Sequence, residues 1–184
     1  TWMRPVSRTT QWWWTRRPEQ EQPPGDWFIW LILSGRGWGK TRTGAEWIVE
    51  QALEFPRDLA NEPTQWLVIG QTLADTRTFC IEGPSGVLAV LRRRGIRHHY
   101  VKAPKPQIRL PDHGQTIFFE GVDNEDTGRG YNAAGAWLDE LAKWRYTHKV
   151  WLEGIMPSIR ANLPAGGRPR VVVTTTPKPI KLLK

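Results

Sequence analysis

Short apolar runs alternate with longer amphipathic stretches along most of this chain. Short runs rich in apolar and β-branched residues are typical of strands, whereas apolar residues spaced three and four apart indicate helices. This alternation predicts an α/β fold with a mostly parallel central sheet flanked by helices. The predicted strands are residues 28–33, 65–70, 107–110, 115–120, 133–138 and 170–176, of which the third and fourth form a β-hairpin.

Three segments between these strands are predicted to be helical. The first covers residues 42–55. The second covers most of residues 72–94 and is interrupted by a Gly-Pro-Ser-Gly turn. The third begins at Lys143 and is ended by Pro157. Cys80 falls inside the second helix, and we expect it to be a buried, inert thiol.

The first 26 residues show neither a strand period nor a helix period. Their prolines favour an extended arm. We therefore divide the chain into an N-terminal arm, residues 1–26, and a domain, residues 27–184. Three consecutive tryptophans, Trp12 to Trp14, either cover the edge of this domain or contact a partner.

The strongest chemical signal is the stretch Ser34-Gly35-Arg36-Gly37-Trp38-Gly39-Lys40-Thr41. It lies between a predicted strand and a predicted helix, as a phosphate-binding loop does. Glycines let several backbone N–H groups point at one anion, and the helix N-terminus adds its positive dipole. Lys40 would reach the β- and γ-phosphates, and the Thr41 hydroxyl would ligate Mg²⁺. Ser34 replaces the usual first glycine, and the alternative is a plain turn with a surface lysine.

A second chemical signal is the pair of carboxylates after the predicted strand 133–138. The small apolar residues of this strand predict that it is buried, so Asp139 and Glu140 would lie at its C-terminal end, where parallel sheets place their ligands. Asp139 is expected to hold Mg²⁺ through water, and Glu140 to orient and deprotonate an attacking water. The alternative is a solvated acidic loop.

The last predicted strand follows a turn at residues 164–167 and ends in three threonines, Thr174 to Thr176. In a nucleotide-binding sheet, hydroxyls at such a tip can sense the γ-phosphate. Threonine-rich strand ends also occur for purely structural reasons.

The chain has 184 residues and a formal net charge of +8. This basic balance favours a polyanionic partner, nucleic acid before membrane. The densest basic cluster either contacts DNA or is a helix end exposed to solvent. Its histidines lack companions at zinc-ligand spacing, so we predict no zinc site. A single cysteine excludes an internal disulfide, and no signal peptide or bilayer-length apolar stretch is visible. The cluster is Arg92, Arg93, Arg94, Arg97, His98 and His99.

Taken in order, several segments resemble the ATPase domain of the large terminase subunit, the DNA-packaging motor of tailed bacteriophages and gene-transfer agents. The resemblance covers about residues 15–184. The segments that carry it are Arg17-Pro18-Glu19-Gln20, Gly25-Asp26-Trp27, residues 35–47, Arg129-Gly130-Tyr131, residues 135–144 and Thr174-Thr175-Thr176-Pro177-Lys178-Pro179.

The resemblance implies a P-loop NTPase of the additional-strand, catalytic-glutamate class. In that class the strand ending at Thr176 lies between the strand before Lys40 and the strand before Glu140. The three threonines then sit beside the phosphates and the catalytic water, and they look like the family's coupling motif, which links hydrolysis to movement. The implied substrate is ATP, with Mg²⁺ as the cofactor.

The resemblance also implies residue roles. Gln20 looks like the adenine-recognising glutamine, whereas its position alone is equally consistent with a solvated loop residue. Arg36 matches an arginine that terminases carry inside the phosphate loop. Arg129 looks like the arginine finger that a neighbouring subunit inserts, although Gly128 stands where a leucine often precedes it. The implied catalytic residues are Glu140, Lys40, Arg36 and, in trans, Arg129; the nucleotide-binding residues are Gln20, Ser34, Gly35, Arg36, Gly37, Trp38, Gly39, Lys40, Thr41, Thr174, Thr175 and Thr176; the metal ligands are Thr41 and Asp139.

The partners that the resemblance implies are double-stranded DNA, further copies of the chain in a ring (a pentamer), the portal protein and the small terminase subunit, with no membrane. The chain would work in the host cytoplasm, docked on the procapsid portal, and not in the mature virion. Family members carry a C-terminal nuclease domain with metal-binding aspartates. The sequence ends before such a domain, so we expect a truncated motor domain without nuclease activity.

Two other functions remain open from the sequence. A helicase-type ATPase also has a glutamine motif and an Asp-Glu strand, but here Leu141-Ala142 follows Glu140, unlike the residues expected of that group. A nucleotide-dependent DNA-binding or assembly module with little turnover is the third possibility, because a single chain would lack its neighbour's Arg129.

Overall fold

The computed structural model of the chain describes residues 11–55, 63–123, 125–161 and 168–178. Within these ranges seven strands form one sheet. Six of them match the predicted strands closely, and the seventh, β3, was not predicted. The turn expected at residues 164–167 lies outside the described residues. The strands are β1 (Ile29–Leu33), β2 (Thr64–Gly70), β3 (His99–Val101), β4 (Gln107–Leu110), β5 (Gln115–Gly121), β6 (Ala133–Asp139) and β7 (Arg170–Thr175).

The strand order is β1-β7-β6-β2-β5-β4-β3. The first five strands of this order are parallel, and β4 and β3 extend the sheet in antiparallel fashion. Strand β7 lies between β1 and β6, because Val173 pairs with Leu31 on one side and with Leu138 on the other. The predicted α/β sheet with an additional strand between the loop strand and the acidic strand is therefore confirmed.

Helices cover both faces of the sheet. From β1 to β2 and on to β5, the chain moves in one direction across the sheet, and from β5 through β6 to β7 it moves back. Because connections between parallel strands are right-handed, the helices of these two parts lie on opposite faces. None of the helices in the described ranges has the length and apolar character needed to span a bilayer. The helices are α1 (Gln11–Thr15), α2 (Lys40–Glu54), α3 (Leu73–Asp75), α4 (Val87–Arg93), α5 (Thr147–Lys149) and α6 (Met156–Ser158), with π-helical turns at Thr76–Ile81 and Val150–Ile155 and 3-10 turns at Pro18–Gln20 and Leu141–Lys143.

Each face of the sheet has its own apolar core. The face under α2 to α4, called the α2 face below, buries alternate strand residues such as Trp66, Trp137 and Val172. The opposite face, called the α6 face, buries the residues between them, such as Leu138 and Val173. The central strands are apolar on both sides for this reason, which explains why their sequence reads as continuous apolar runs.

Two predictions about local structure were wrong. Part of the N-terminal arm is not extended: Gln11–Thr15 is helical and buries Trp12, while Trp14 is 84% exposed. Pro18 is the first residue of the 3-10 turn Pro18–Gln20, and it fits there because a backbone N–H at this position would have no partner inside the turn. The third predicted helix was wrong in its bounds. Continuous helical structure begins at Thr147 rather than Lys143, and α5, the π-helical turn and α6 run without a gap to Ser158, so Pro157 lies inside the helix.

The basic cluster at the end of α4 matches the solvated helix end in part, because Arg92, Arg93 and Arg97 are exposed, whereas the Arg94 side chain is not. The side chain of Arg94 is only 4% exposed and forms ion pairs with Glu46 and Glu50 of α2 at 2.5 and 2.7 Å. Arg97 pairs with Asp112 on the surface. Arg94 therefore links the end of α4 to α2, the helix that follows the glycine-rich loop. Breaking these ion pairs would leave a buried charge without a partner.

Helix α2 approaches β6 closely at Gly44. A Cβ atom at this position would lie 2.1 Å from Cε2 of Trp137. Trp137 is fully buried, and its indole N–H donates to Thr174 Oγ1 at 2.8 Å. The glycine therefore sets how near the loop helix lies to the strand that carries the carboxylates.

Replacing Gly44 with alanine is expected to lower the free energy of unfolding by about 1–3 kcal/mol, because helix and strand must separate to admit the methyl group. The better helix propensity of alanine offsets at most about 1 kcal/mol of this. Urea denaturation measures the change. Gly35→Ala is the control, since its Cβ would meet no atom within 4 Å, and equal stability of the two variants would contradict this account.

Candidate nucleotide site

The glycine-rich loop connects the end of β1 to the first residue of α2. Gly37 and Gly39 have φ angles of 77° and 91°, which are in the left-handed region that favours glycine. The loop therefore curls between strand and helix as the sequence predicted. Ser34, in place of the usual glycine, is compatible with this curl, because the positive φ angles fall on later residues.

Lys40 folds back over this loop. Its ammonium group donates to the backbone carbonyls of Ser34 and Gly35, both at 2.9 Å, and the residue is only 8% exposed. The same ammonium lies 3.9 Å from Glu140 Oε1. The loop and the carboxylate after β6 are thus brought together by one lysine.

Glu140 has an unusual backbone conformation. Its φ and ψ angles are 51° and 40°, and it is the one non-glycine with positive φ among the described residues. Such a conformation costs about 1–2 kcal/mol for a residue with a Cβ and is often found at functional sites. This turn of the backbone directs the chain out of β6 directly after Asp139.

The carboxylate of Glu140 accepts a hydrogen bond from Thr176 Oγ1 at 2.6 Å and lies 3.3 Å from Lys143 Nζ. Burial alone would raise its pKa. The hydrogen bond from Thr176 and the charges of Lys143 and Lys40 outweigh burial, so its pKa is below the ordinary value. Glu140 is therefore ionised at neutral pH, as a proton acceptor must be.

Asp139 is buried, with 8% exposure. One carboxylate oxygen accepts from Thr174 Oγ1 at 2.7 Å, and the other receives a weak contact from Cys80 Sγ at 3.7 Å. Burial raises the pKa of Asp139 to about 6, with the charge of Glu140 adding to the rise and the hydrogen bond from Thr174 opposing it. Two neighbouring carboxylates thus differ in their proton affinity because of their surroundings.

The three threonines at the end of β7 all contact the segment that follows β6. Thr174 donates to Asp139, and Thr176 donates to Glu140. Between them, Thr175 Oγ1 accepts the backbone N–H of Ala142 at 3.0 Å. The tip of the additional strand is therefore bonded to both carboxylates and to the turn that follows them.

Gln20 packs against the other side of the loop and is buried. Its amide nitrogen donates to Thr43 Oγ1 at 3.0 Å, and its amide oxygen accepts the backbone N–H of Arg17 at 3.0 Å. The guanidinium of Arg17 in turn bonds to the carbonyl of Trp38. This arrangement replaces the solvated-loop interpretation with a glutamine fixed beside the loop.

Two predicted site residues are not brought into this cluster. Arg36 is exposed at the crest of the loop and has no side-chain partner within the described residues. Arg129 forms ion pairs at 2.7 Å with Asp126 and with Glu153 of the π-helical turn, on the α6 face. Neither partner belongs to the phosphate loop or to the acidic strand end.

The residues available for Mg²⁺ are oxygen donors, which suits this hard cation. The hydroxyl of Thr41, in the first turn of α2, has no hydrogen-bond partner in the described ranges, and the carboxylate of Asp139 faces the same end of the sheet. They fit the predicted ligand pair. No cluster of three or more His, Cys, Asp or Glu side chains suited to a metal occurs in the part of the chain that the structure describes.

Several contributors to the site were not assigned a role from the sequence. Lys143 lies three residues after Glu140, and this spacing is a signal that could have identified it. Cys80 is 59 residues from Asp139 in sequence, and no local pattern connects them. Burial was expected for Cys80 and is confirmed, and burial raises the pKa of its thiol. Cys80 and Lys143 line a cavity of about 110 Å³ beside both carboxylates.

The sheet order, the curled loop with its lysine and the acidic strand end together define a P-loop NTPase. Residues 31–184 match a family model described as terminase large subunit, T4likevirus-type, N-terminal. Because this match covers most of the chain, the chain belongs to that family. No curated protein sequence matches it.

Two solved structures agree with this fold, and a third is similar at a lower TM-score. The large terminase of a thermophilic bacteriophage, solved in complex with ADP, is 20% identical with a TM-score of 0.53 over 90% of this chain. The HK97 bacteriophage large terminase is 15% identical with a TM-score of 0.52 over 80%. The ATPase domain of the Thermus phage P74-26 large terminase is 24% identical over 84%, with a TM-score of 0.48. The chain spans 36%, 29% and 61% of the lengths of these three proteins.

Replacing Asp139 with asparagine is expected to stabilise the metal-free protein at neutral pH by about 1–3 kcal/mol. With a pKa of about 6 in the folded state, Asp139 keeps a proton that the unfolded chain has lost, so it reduces stability as pH rises from about 4 through 6. The variant should lack this loss and match the wild type near pH 4.

Denaturation in EDTA at the two pH values measures the difference. Asp26→Asn, at an exposed ion pair with Arg168, is the control and should show little pH-dependent change. If the difference in stability between the wild type and Asp139→Asn is the same at both pH values, the raised pKa of Asp139 is contradicted.

Proposed function

We propose that this chain hydrolyses Mg·ATP and that, as part of a terminase large subunit, hydrolysis moves double-stranded DNA into a procapsid. The observation that carries the hydrolytic part is the position of Glu140. It is an ionised carboxylate held at a strand tip between the loop lysine, 3.9 Å away, and the hydroxyl of Thr176. That is where a base would meet water attacking a γ-phosphate held by the loop.

Each residue of the site has a role in this proposal. The loop N–H groups and Lys40 bind the β- and γ-phosphates, for which Lys40 exchanges its present contacts with Ser34 and Gly35. Thr41 and Asp139 hold Mg²⁺, which would neutralise phosphate charge. Glu140 accepts the proton of the attacking water. Gln20 recognises the adenine, which is supported by its fixed, buried position beside the loop.

Coupling to movement is supported by the threonine tip. Thr174 contacts Asp139, Thr176 contacts Glu140, and Thr175 bonds to the turn after them. During hydrolysis, the water and the γ-phosphate beside Asp139 and Glu140 would change. The hydrogen-bond acceptors available to the hydroxyls of Thr174 and Thr176 would change with them. Loss of the γ-phosphate would therefore be transmitted to β7 and to the chain that follows it.

The wider role is proposed from family membership and charge. The partners are double-stranded DNA, identical subunits in a ring, the portal protein and the small terminase subunit, and the location is the host cytoplasm at the procapsid portal. The net charge of +8 suits contacts with DNA phosphates. The large terminase of the thermophilic bacteriophage was solved with ADP, which supports the same nucleotide class for this chain.

Arg129 is proposed to act on the site of a neighbouring subunit, where its charge would stabilise the transition state. Its ion pairs with Asp126 and Glu153 hold it on the α6 face, and neither partner belongs to the phosphate loop or to the acidic strand end. Arg36, exposed on the loop, is proposed to assist in charge stabilisation at the phosphates. A single subunit without a neighbour would then turn over slowly, which favours the assembly-module behaviour for the isolated chain.

Lys40→Ala and Glu140→Gln are expected to lower ATP hydrolysis by about a hundredfold or more, through loss of phosphate binding and loss of the base respectively. The two variants should differ in binding. Glu140→Gln keeps the loop and should still bind a fluorescent ATP analogue, whereas Lys40→Ala should bind it weakly. Lys102→Ala, at an exposed and distant ion pair, is the matched lysine control. Full hydrolysis by Glu140→Gln would contradict the assignment of the base.

Arg129→Ala is expected to remove turnover that rises with protein concentration, without changing ATP binding by the same chain. Mixing Arg129→Ala with Lys40→Ala should restore part of this turnover. The first chain then supplies an intact site and the second supplies an intact arginine. A mixture no more active than its two components would contradict action in trans.

A further inference from the structure

Glu120 is the penultimate residue of β5, and it lies outside the nucleotide site. Strand β2 separates β5 from β6, so Glu120 and Asp139 are two strands apart, about 10 Å. Its side chain is on the α6 face, like that of Phe118, whose ring packs on Tyr131. Nothing in the sequence pattern distinguishes Glu120 from an ordinary strand residue.

The carboxylate of Glu120 binds the residues on both sides of Arg129. Oε2 accepts the backbone N–H of Gly128 at 2.7 Å, and Oε1 accepts the hydroxyl of Tyr131 at 2.6 Å. Among the described residues, Glu120 has no lysine or arginine partner, so these neutral donors are what satisfies its charge. Burial first, and the hydrogen bond with Glu120 second, raise the pKa of Tyr131, which therefore remains a donor.

The backbone beneath Arg129 is closely packed. Thr127 Oγ1 donates to the carbonyl of Gly121 at 2.9 Å, at the end of β5. A Cβ on Gly154, in the π-helical turn, would lie 2.2 Å from the carbonyl oxygen of Thr127. Gly128 has a φ of 82° and packs against Ile155. The loop is held between the strand end and the π-helical turn.

The side chain of Arg129 is held more weakly than its backbone. It is 44% exposed, and its partners Asp126 and Glu153 are 74% and 51% exposed. Exposed ion pairs of this kind contribute about 0–1 kcal/mol and exchange readily with other anions. A fixed backbone with a releasable side chain suits an arginine that must enter another subunit's site.

We propose that Glu120 is the positioning residue that fixes the loop 125–131 so that Arg129 is presented to a neighbouring subunit. This inference rests on the proposed action of Arg129 in trans. Glu120 touches neither nucleotide nor reacting atoms, and acts through Gly128 and Tyr131. A glutamine at this position has one acceptor oxygen for two donors, and its NH₂ group faces the other donor.

Glu120→Gln is expected to lower concentration-dependent ATP turnover about tenfold or more, because small misplacements of a charge-stabilising group are costly. Its own nucleotide site should be intact, so ATP binding should equal that of the wild type. Mixing it with Lys40→Ala, which keeps a sound Arg129 loop, should restore turnover. Glu82→Gln is the control, since Glu82 also accepts a tyrosine hydroxyl, from Tyr100 at 3.1 Å, far from this loop.

Hydrogen exchange provides a second measurement that does not depend on activity. The amide of Gly128 should exchange faster in Glu120→Gln than in the wild type, while amides of β2 and β6 stay unchanged. Unchanged exchange at Gly128, or wild-type turnover, would overturn the inference.

The mixtures separate the two proposals. If Arg129→Ala is rescued by Lys40→Ala but Glu120→Gln is not, the positioning role is wrong and action in trans stands. If neither is rescued, action in trans is wrong, and the exchange rate at Gly128 alone decides whether Glu120 fixes the loop.

Discussion

The hydrogen bonds from the threonine tip of β7 to the segment after β6 are the contacts on which the site depends. They require β7 to lie beside β6 in a register that pairs Thr174 with Asp139. A slip of one residue would turn the hydroxyls to the other face of the sheet. In the observed register, Thr174 and Thr176 reach Asp139 and Glu140, and the two carboxylates acquire different surroundings. Buried Asp139 holds its proton more tightly, whereas Glu140 is stabilised as an anion.

Unfavourable local features of the site are offset by its packing. Glu140 adopts a left-handed backbone conformation, and the buried Lys40 directs its charge at two carbonyls. The Lys40 ammonium is thereby placed to bind a negatively charged ligand, and the Glu140 carboxylate is placed to bind a water molecule. The close approach of α2 to β6 at Gly44 holds the loop helix and the acidic strand at a fixed separation. Strain at Glu140 therefore persists because neighbouring strands and helices determine its position.

Features carried by adjacent residues could be predicted from the sequence. The loop from Ser34 to Thr41, the Asp139-Glu140 pair and the threonine tip are each contiguous, and their chemistry is local. Features created by tertiary approach could not be predicted. Cys80 contacts Asp139, which is 59 residues away in the sequence. The sequence places Arg94 in a basic cluster typical of a surface, whereas its side chain is buried against Glu46. Local rules also failed at the Trp12 segment, where a short helix buries Trp12, and at Pro157, which a helix accommodates directly after a π-helical turn.

The two faces of the sheet divide the work that we propose. The β1–β2 crossover places Lys40 and its helix on the α2 face, whereas the reversal of strand order after β5 places the Arg129 loop on the α6 face. The lysine site itself lies at the end of the sheet, between the loop and Glu140. The ion pairs of Arg129 with Asp126 and Glu153 do not direct its side chain to that site. In the proposed ring, a second copy would supply the arginine to this site. The position of the Arg129 loop on the α6 face is thus consistent with the proposed action between subunits, which rests on the residues at the site rather than on the strand order.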